Sequence, residues 1–114
     1  PIRPQLKIDA ELRAGEVSLG NCEKIASFAP FGIGNATPHF LLKNVKILDS
    51  KPVGRTAAHL KFRTDFAGDP IDGIAFNFAE HEAALQKASD LIVTLEENTW
   101  NNISKPQIRL VDFR

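Results

Sequence analysis

Between residues 59 and 97 the apolar period of this sequence switches from two to helical and back, and few small folds accommodate that order. His59 to Asp65 alternates strictly, with Leu60, Phe62 and Thr64 on one side of an extended chain and His59, Lys61 and Arg63 on the other. Ile71 to Phe78 alternates as well. The spacing places Ile74, Phe76 and Phe78 inside with Phe62, and leaves Gly73, Ala75 and Asn77 outside. Over residues 80–89 the spacing becomes helical, with Ala84, Leu85 and Ala88 as the inner face. Asp90 to Glu97 returns to period two with Leu91, Val93 and Leu95 inward, and Gln107 to Phe113 follows with Ile108 and Leu110. Upstream, His39 to Asp49 carries Phe40 and Leu42 on one parity and Val45 and Ile47 on the other, a switch that predicts a bulge at Lys43–Asn44. Lys51–Gly54, Gly68–Pro70 and the polar stretch 98–106 read as breaks. The order is strand, strand, strand, helix, strand, strand. The fold expected is mainly β: a five-stranded OB-fold barrel (β-β-β-α-β-β) preceded by an N-terminal extended arm and a short helix.

The first 38 residues differ in character. Leu6, Ile8 and Ala10 alternate with Lys7, Asp9 and Glu11 as an extended arm would. Ser18 is a helix N-cap, and Cys22, Ile25, Ala26 and Ala29 fall on one helical face that Pro30 ends. Residues 30–38 then hold two Pro, two Gly and an Asn, the composition of a loop with fixed or unusual backbone angles. With no strand before it and no third glycine, this loop is not a dinucleotide fingerprint. The division expected is residues 1–38 as connecting arm, helix and loop, and 39–114 as the OB-fold domain. At 114 residues the chain is one domain's length. It begins with Pro1 and contains no Met, so it is expected to be a domain cut from a longer protein. Apolar runs are too short to span a bilayer, and no membrane partner is expected. The single cysteine, Cys22, excludes an internal disulfide and suits a reducing, cytoplasmic setting. His39, His59, His81 and Cys22 lack the spacing of a metal site, and no nucleophile–base or carboxylate pair stands out, so neither catalytic nor metal-ligating residues are assigned.

Charge supplies the functional argument. Lys and Arg number 14, as do Asp and Glu, so net charge is zero and the bulk signature of a nucleic-acid binder is missing. The distribution is uneven, however. Lys51, Arg55, Lys61 and Arg63 follow one another without an acid, whereas residues 80–97 are acidic. OB-folds bind oligonucleotides on strands 2 and 3 and with the loops joining strands 1–2 and 4–5. Those loops are expected at about 50–58, with Lys51 and Arg55, and at 98–106, with Trp100, Asn101, Asn102 and Lys105. Strand 2 adds His59, Lys61 and Arg63 on its outer face. Basic side chains hold phosphates, and exposed rings stack on bases. The nucleic-acid contacts expected are therefore Lys51, Arg55, His59, Lys61, Arg63, Trp100, Asn101 and Lys105. A solvated basic surface is the competing reading of the cluster, and a ring folded over the barrel mouth that of Trp100.

Pro30-Phe31-Gly32-Ile33-Gly34-Asn35, followed by Pro38 and Phe40, resembles a motif of the bacterial RecJ single-strand-specific 5′→3′ DNA exonucleases. His59-Leu60-Lys61, Ile74-Ala75-Phe76, Asp90 to Asn98, Trp100-Asn101 and Asp112-Phe113-Arg114 are similar to that family too, so the likeness runs from about residue 5 to the end. Ala36 and Asn102 depart from it, standing where Pro and Gly are frequent. The resemblance implies the OB domain that follows the catalytic core, gripping single-stranded DNA and guiding it to that core. It implies Mg or Mn in the core and no cofactor here, because the Asp-His-His motifs of the chemistry are not in this chain. It implies as partners single-stranded DNA, the core domains of the same parent chain and a single-strand-binding protein, in a setting of DNA repair and recombination. This fragment is accordingly not expected to be an enzyme. The alternative is a structural module that docks on the exonuclease core and touches DNA little, with Gly73, Ala75 and the Phe31 loop as docking surfaces.

Overall fold

The computed structural model describes residues 2, 3, 5–27 and 37–114. The loop motif of residues 30–36, with Phe31, and the helical position Ala29 lie outside the described residues. A two-residue strand β1 (Ala10–Glu11) and a helix α1 (Leu19–Ala26) come first. They are followed by β2 (Phe40–Leu42), β3 (Val45–Val53), β4 (His59–Phe66) and β5 (Asp69–Ala75). A 3-10 turn at Ala79–His81 runs into the short helix α2 (Glu82–Leu85), and β6 (Leu91–Trp100) and β7 (Ile103–Phe113) complete the chain. As expected, the fold is mainly β and OB-like.

The strands form a seven-stranded sheet in the order β1-β2-β6-β7-β5-β4-β3. The predicted long first strand is two strands. Leu42 and Val45 are both buried although three positions apart, which an unbroken strand forbids; Asn44, at φ 58°, makes the break between them. Asn tolerates this left-handed angle better than most residues. A second irregularity, unforeseen, shifts the register between Ile47 and Asp49 and leaves Leu48 exposed. β2 lies against β6 and β3 against β4, so one bent segment reaches toward both ends of the sheet. The ladder itself is open rather than a closed barrel.

Two connections are tighter than the sequence suggested. Ala67 and Gly68, at φ 53° and 86°, turn the chain between β4 and β5, so Asp69 and Pro70 already belong to β5. Asn101 and Asn102, at φ 49° and 62°, do the same between β6 and β7. Both are two-residue hairpin turns with positive φ at each position. β3 also continues past the predicted break through Pro52 to Val53; as the last strand in the order, it tolerates a proline.

The core is one cluster containing Leu42, Leu60, Phe62, Leu85, Leu91, Val93 and Ile108, and Leu12, Val17 and Cys22 from the N-terminal segment belong to it. The Ser18 hydroxyl accepts from the Asn21 N–H at 3.1 Å and caps α1 as expected. Leu85 and Ala88 face inward, but Ala84 is exposed because α2 is only one turn long. The orientation of β5 reverses the expectation. Ile71, Gly73 and Ala75 point into the core, and Phe76 lies outside with 43% of its surface exposed. The Phe62 ring occupies the interior at this level, so close that a Cβ on Gly73 would stand 2.3 Å from its Cζ. The inward β5 residues beside that ring, Gly73 and Ala75, are accordingly small, and Ile74 and Phe76 turn outward. Gly73→Ala is expected to cost about 1–3 kcal/mol by overpacking, read from urea unfolding.

Asp90 fastens the last residue to the sheet. Its buried carboxylate accepts from Arg114 Nε at 2.8 Å and from the Asn44 N–H at 3.2 Å, while the Asp90 and Arg114 backbones exchange hydrogen bonds. Burial acts to raise the Asp90 carboxyl, but these donors outweigh it and hold it below the usual carboxylate range. Asp112, bonded by the backbone N–H and Nε of Arg3 at 3.0 and 3.1 Å, is likewise held low against the burial that would raise it. Carboxyls lowered in the folded state stabilise it above their unfolded pKa, near 4, and lose that contribution as pH falls through the folded values. The melting temperature is therefore expected to fall steeply below about pH 4, and Asp90→Asn to flatten part of that fall in a pH series of thermal melts.

Candidate nucleic-acid interface

Strand registers arrange the outer face of the sheet in transverse rows, because residues directly opposite one another share a face. One row pairs Lys51 of β3 with Lys61 of β4, Lys61 with Ile74 of β5, and Ile74 with Arg109 of β7. The adjacent row pairs Asp49 with Arg63, Arg63 with Asp72, Asp72 with Gln107, and Gln107 with Glu96. In the second row Arg63 Nε lies 3.1 Å from Asp72 and Gln107 donates to Glu96 at 3.0 Å, while Asp49 makes no ion pair among the described residues. The first row contains no carboxylate. Lys51 and Lys61 are cross-strand neighbours of like charge, an arrangement that destabilises a sheet. Neither makes an ion pair among the described residues, and neither does Lys105.

These lysines border two adjoining concavities. One, of about 450 Å³, is lined by Lys61, Asp72, Asn98, Trp100, Ile103 and Lys105. The other, of about 560 Å³, is lined by Asp49, Ser50, Lys51, Lys61, Phe62, Arg63, Asp72 and Lys105. Lys61, Asp72 and Lys105 belong to both, and the Asp72 carboxylate faces its own partner Arg63. The hairpin of β6 and β7 forms one wall, with Trp100 opposite Ile103 at its tip. Trp100 is 74% exposed and so is not folded over the end of the sheet.

The structure thus brings Lys51, Lys61, Arg63, Trp100 and Lys105 together, but in a different setting from that expected. Lys51 lies on β3 rather than in a loop, and Trp100 and Lys105 lie on strands of the hairpin. Arg55, Asn101 and His59 do not line either concavity. Arg55 sits in the 54–58 connection, and Asn101 forms the hairpin turn. His59 accepts the Asn77 N–H at Nδ1 (2.9 Å) and packs edge-on against Phe76, with ring centroids 5.1 Å apart. Sequence reasoning missed Ile103, which lines the first concavity, and placed in the interior a ring, Phe76, that lies outside. The glycine opposite Phe62 was the signal for Phe76, since a strand that presents glycine to a buried ring must send its neighbours outward.

Among the described residues no group of three or more His, Cys, Asp or Glu side chains gathers to hold a metal. Cys22 is buried, its Sγ 3.4 Å from the Glu96 carbonyl oxygen, and burial pushes its thiol up. No helix of the described residues is long and apolar enough to cross a membrane.

The chain is 25% identical over 111 residues to the single-stranded-DNA-specific exonuclease RecJ of Bacillus subtilis, covering 96% of this chain and 14% of that protein. The crystal structure of RecJ in complex with Mn2+ from Thermus thermophilus superposes with a TM-score of 0.57 at 26% identity, covering 81% of this chain and 13% of that one. This chain therefore spans only a small part of the relatives it matches. The family described as RecJ OB domain matches residues 8–112, and the chain belongs to that family.

Proposed function

We propose that this chain is the single-stranded-DNA-binding OB domain of a RecJ-type 5′→3′ exonuclease, gripping the strand and guiding it to a metal-dependent core outside the chain. The observation that carries the reading is the convergence of Lys51, Lys61 and Lys105, without carboxylate partners among the described residues, on two adjoining concavities. A phosphate seated between Lys51 and Lys61 relieves the repulsion of the like-charged pair, and counterion release adds to the gain. Trp100 and Ile103 offer an exposed apolar tip on which a base can rest. The B. subtilis relative is an exonuclease specific for single-stranded DNA, which supports the same substrate. Mg or Mn would belong to the core. Residues 1–38 would enter from that core and dock on the sheet through Leu12, Val17 and Cys22, which lie in the shared buried cluster.

A docking role with little DNA contact is the second reading, favoured by the zero net charge and by the pairing of Arg63 and Arg109 with Asp72 and Glu96. Fluorescence anisotropy of a labelled oligonucleotide separates the two. The triple variant Lys51→Ala, Lys61→Ala, Lys105→Ala is expected to weaken binding and to reduce the slope of log K against log salt by about 2, at roughly 0.7 per phosphate contact on a single strand. An unchanged affinity and slope would leave the docking reading. Binding is also expected to quench Trp100, the sole tryptophan, in a fluorescence titration; an unaltered spectrum at saturation would remove the hairpin tip from the interface.

A further inference from the structure

Phe76 is an exposed ring at the end of β5, and the Arg109 guanidinium of β7 lies over it, 4.6 Å from the ring centroid. Three contacts fix this pair. His59 packs edge-on against the ring, and His59 is itself held by the Asn77 N–H. Glu96 accepts from Arg109 Nη2 at 3.4 Å. The guanidinium plane is thus positioned from one side by Phe76 and at its edge by Glu96, and Arg109 keeps about half of its side-chain surface exposed, 49%.

We infer that the Phe76–Arg109 pair is a stacking station for an unpaired nucleobase, a second contact point on the DNA-binding face proposed above, on which this inference rests. Position supports it. Arg109 stands in the same transverse row as Lys51 and Lys61, separated from them only by Ile74. Arg109 is six residues along β7 from Ile103, which places it roughly 20 Å from the hairpin tip at about 3.3 Å per residue. A strand following the lysines from Trp100 would reach the pair after a few nucleotides. Chemistry supports a base rather than a phosphate. The Arg109 charge is compensated by Glu96, so the group offers a flat, weakly hydrated plane more than a free cation. Single-strand-binding proteins use such planes, aromatic or guanidinium, because every base has a π face.

The test uses the 114-residue chain and two conservative variants. Phe76→Leu keeps apolar bulk and removes the ring; Arg109→Lys keeps the charge and removes the plane. Each is measured by anisotropy over a salt series on a thymidine oligonucleotide of about 12 nucleotides and on one whose sugars carry no bases. Thermal melts set a working temperature at which every protein is folded. The expected result is about a tenfold loss for each variant on the normal strand, with the salt slope unchanged and no loss on the base-free strand. Equal affinity of wild type and both variants for the normal strand would overturn the inference. A loss that persists on the base-free strand, or a slope lowered by about 0.7, would also overturn it in favour of a phosphate contact. If the wild type binds neither strand, the DNA-binding reading falls and this inference with it.

Discussion

The contact of the Phe62 ring with Gly73 organises the molecule. The ring fills the sheet's interior where β4 faces β5, and no side chain larger than hydrogen fits on the opposing residue. Once Gly73 faces inward, strand geometry sends Asp72, Ile74 and Phe76 to the opposite side. Those residues are the middle of the outer face: Asp72 holds Arg63, Ile74 separates Lys61 from Arg109, and Phe76 carries Arg109. A packing requirement inside the core thereby sets the chemistry outside it. Gly73→Val would force both to change together.

The bend in the chain between β2 and β3 has the same double effect. Leu42 and Val45 both need burial, and Asn44 supplies the left-handed turn that allows it. Asp90 accepts the Asn44 N–H and the Arg114 side chain, so one carboxylate ties the bend, the start of β6 and the end of β7. With the bend fixed, β3 runs beside β4 in a register that brings Lys51 opposite Lys61. The like-charge pair is a cost of that register, and a bound anion would remove it.

The succession of β4, β5, β6 and β7 around one helical interruption and the buried residues of β4, β6 and β7 were legible in the sequence because they follow from the period of apolar residues, and the Ser18 cap because its residue type marks a helix start. The orientation of β5 was not. Large apolar residues on one parity are usually the core face, and that rule assumes an interior with room for them. Here Phe62 had taken the room, which is a tertiary fact. The hairpin was misread as a loop for a similar reason: Asn98, Thr99, Asn101, Asn102 and Ser104 are polar, yet only Asn101 and Asn102 turn the chain. The flanking residues are polar because the hairpin projects from the sheet, with no core on either side to bury them. Lys61 and Arg63 were legible as surface residues, but their difference in availability was not, since it depends on Asp72 lying across from Arg63.

That difference explains how a neutral chain can present a cationic groove. Four of the five ion pairs among the described residues use arginine: Arg3, Arg63, Arg109 and Arg114. A guanidinium is a rigid fork that can hold a carboxylate in fixed geometry, so it serves as an internal brace. Lysine is a compact charge on a flexible stem, able to follow a phosphate that shifts as a strand moves. The acids that bring net charge to zero are in part engaged with these arginines, and so they do not cancel the field of Lys51, Lys61 and Lys105. Arg109 stands between the two uses. Its charge is engaged by Glu96, its plane is supported by Phe76, and what it leaves exposed is a guanidinium plane rather than a free charge. Under the DNA-binding reading proposed above, mobile lysine charge and fixed planes would together hold a single strand while letting it advance.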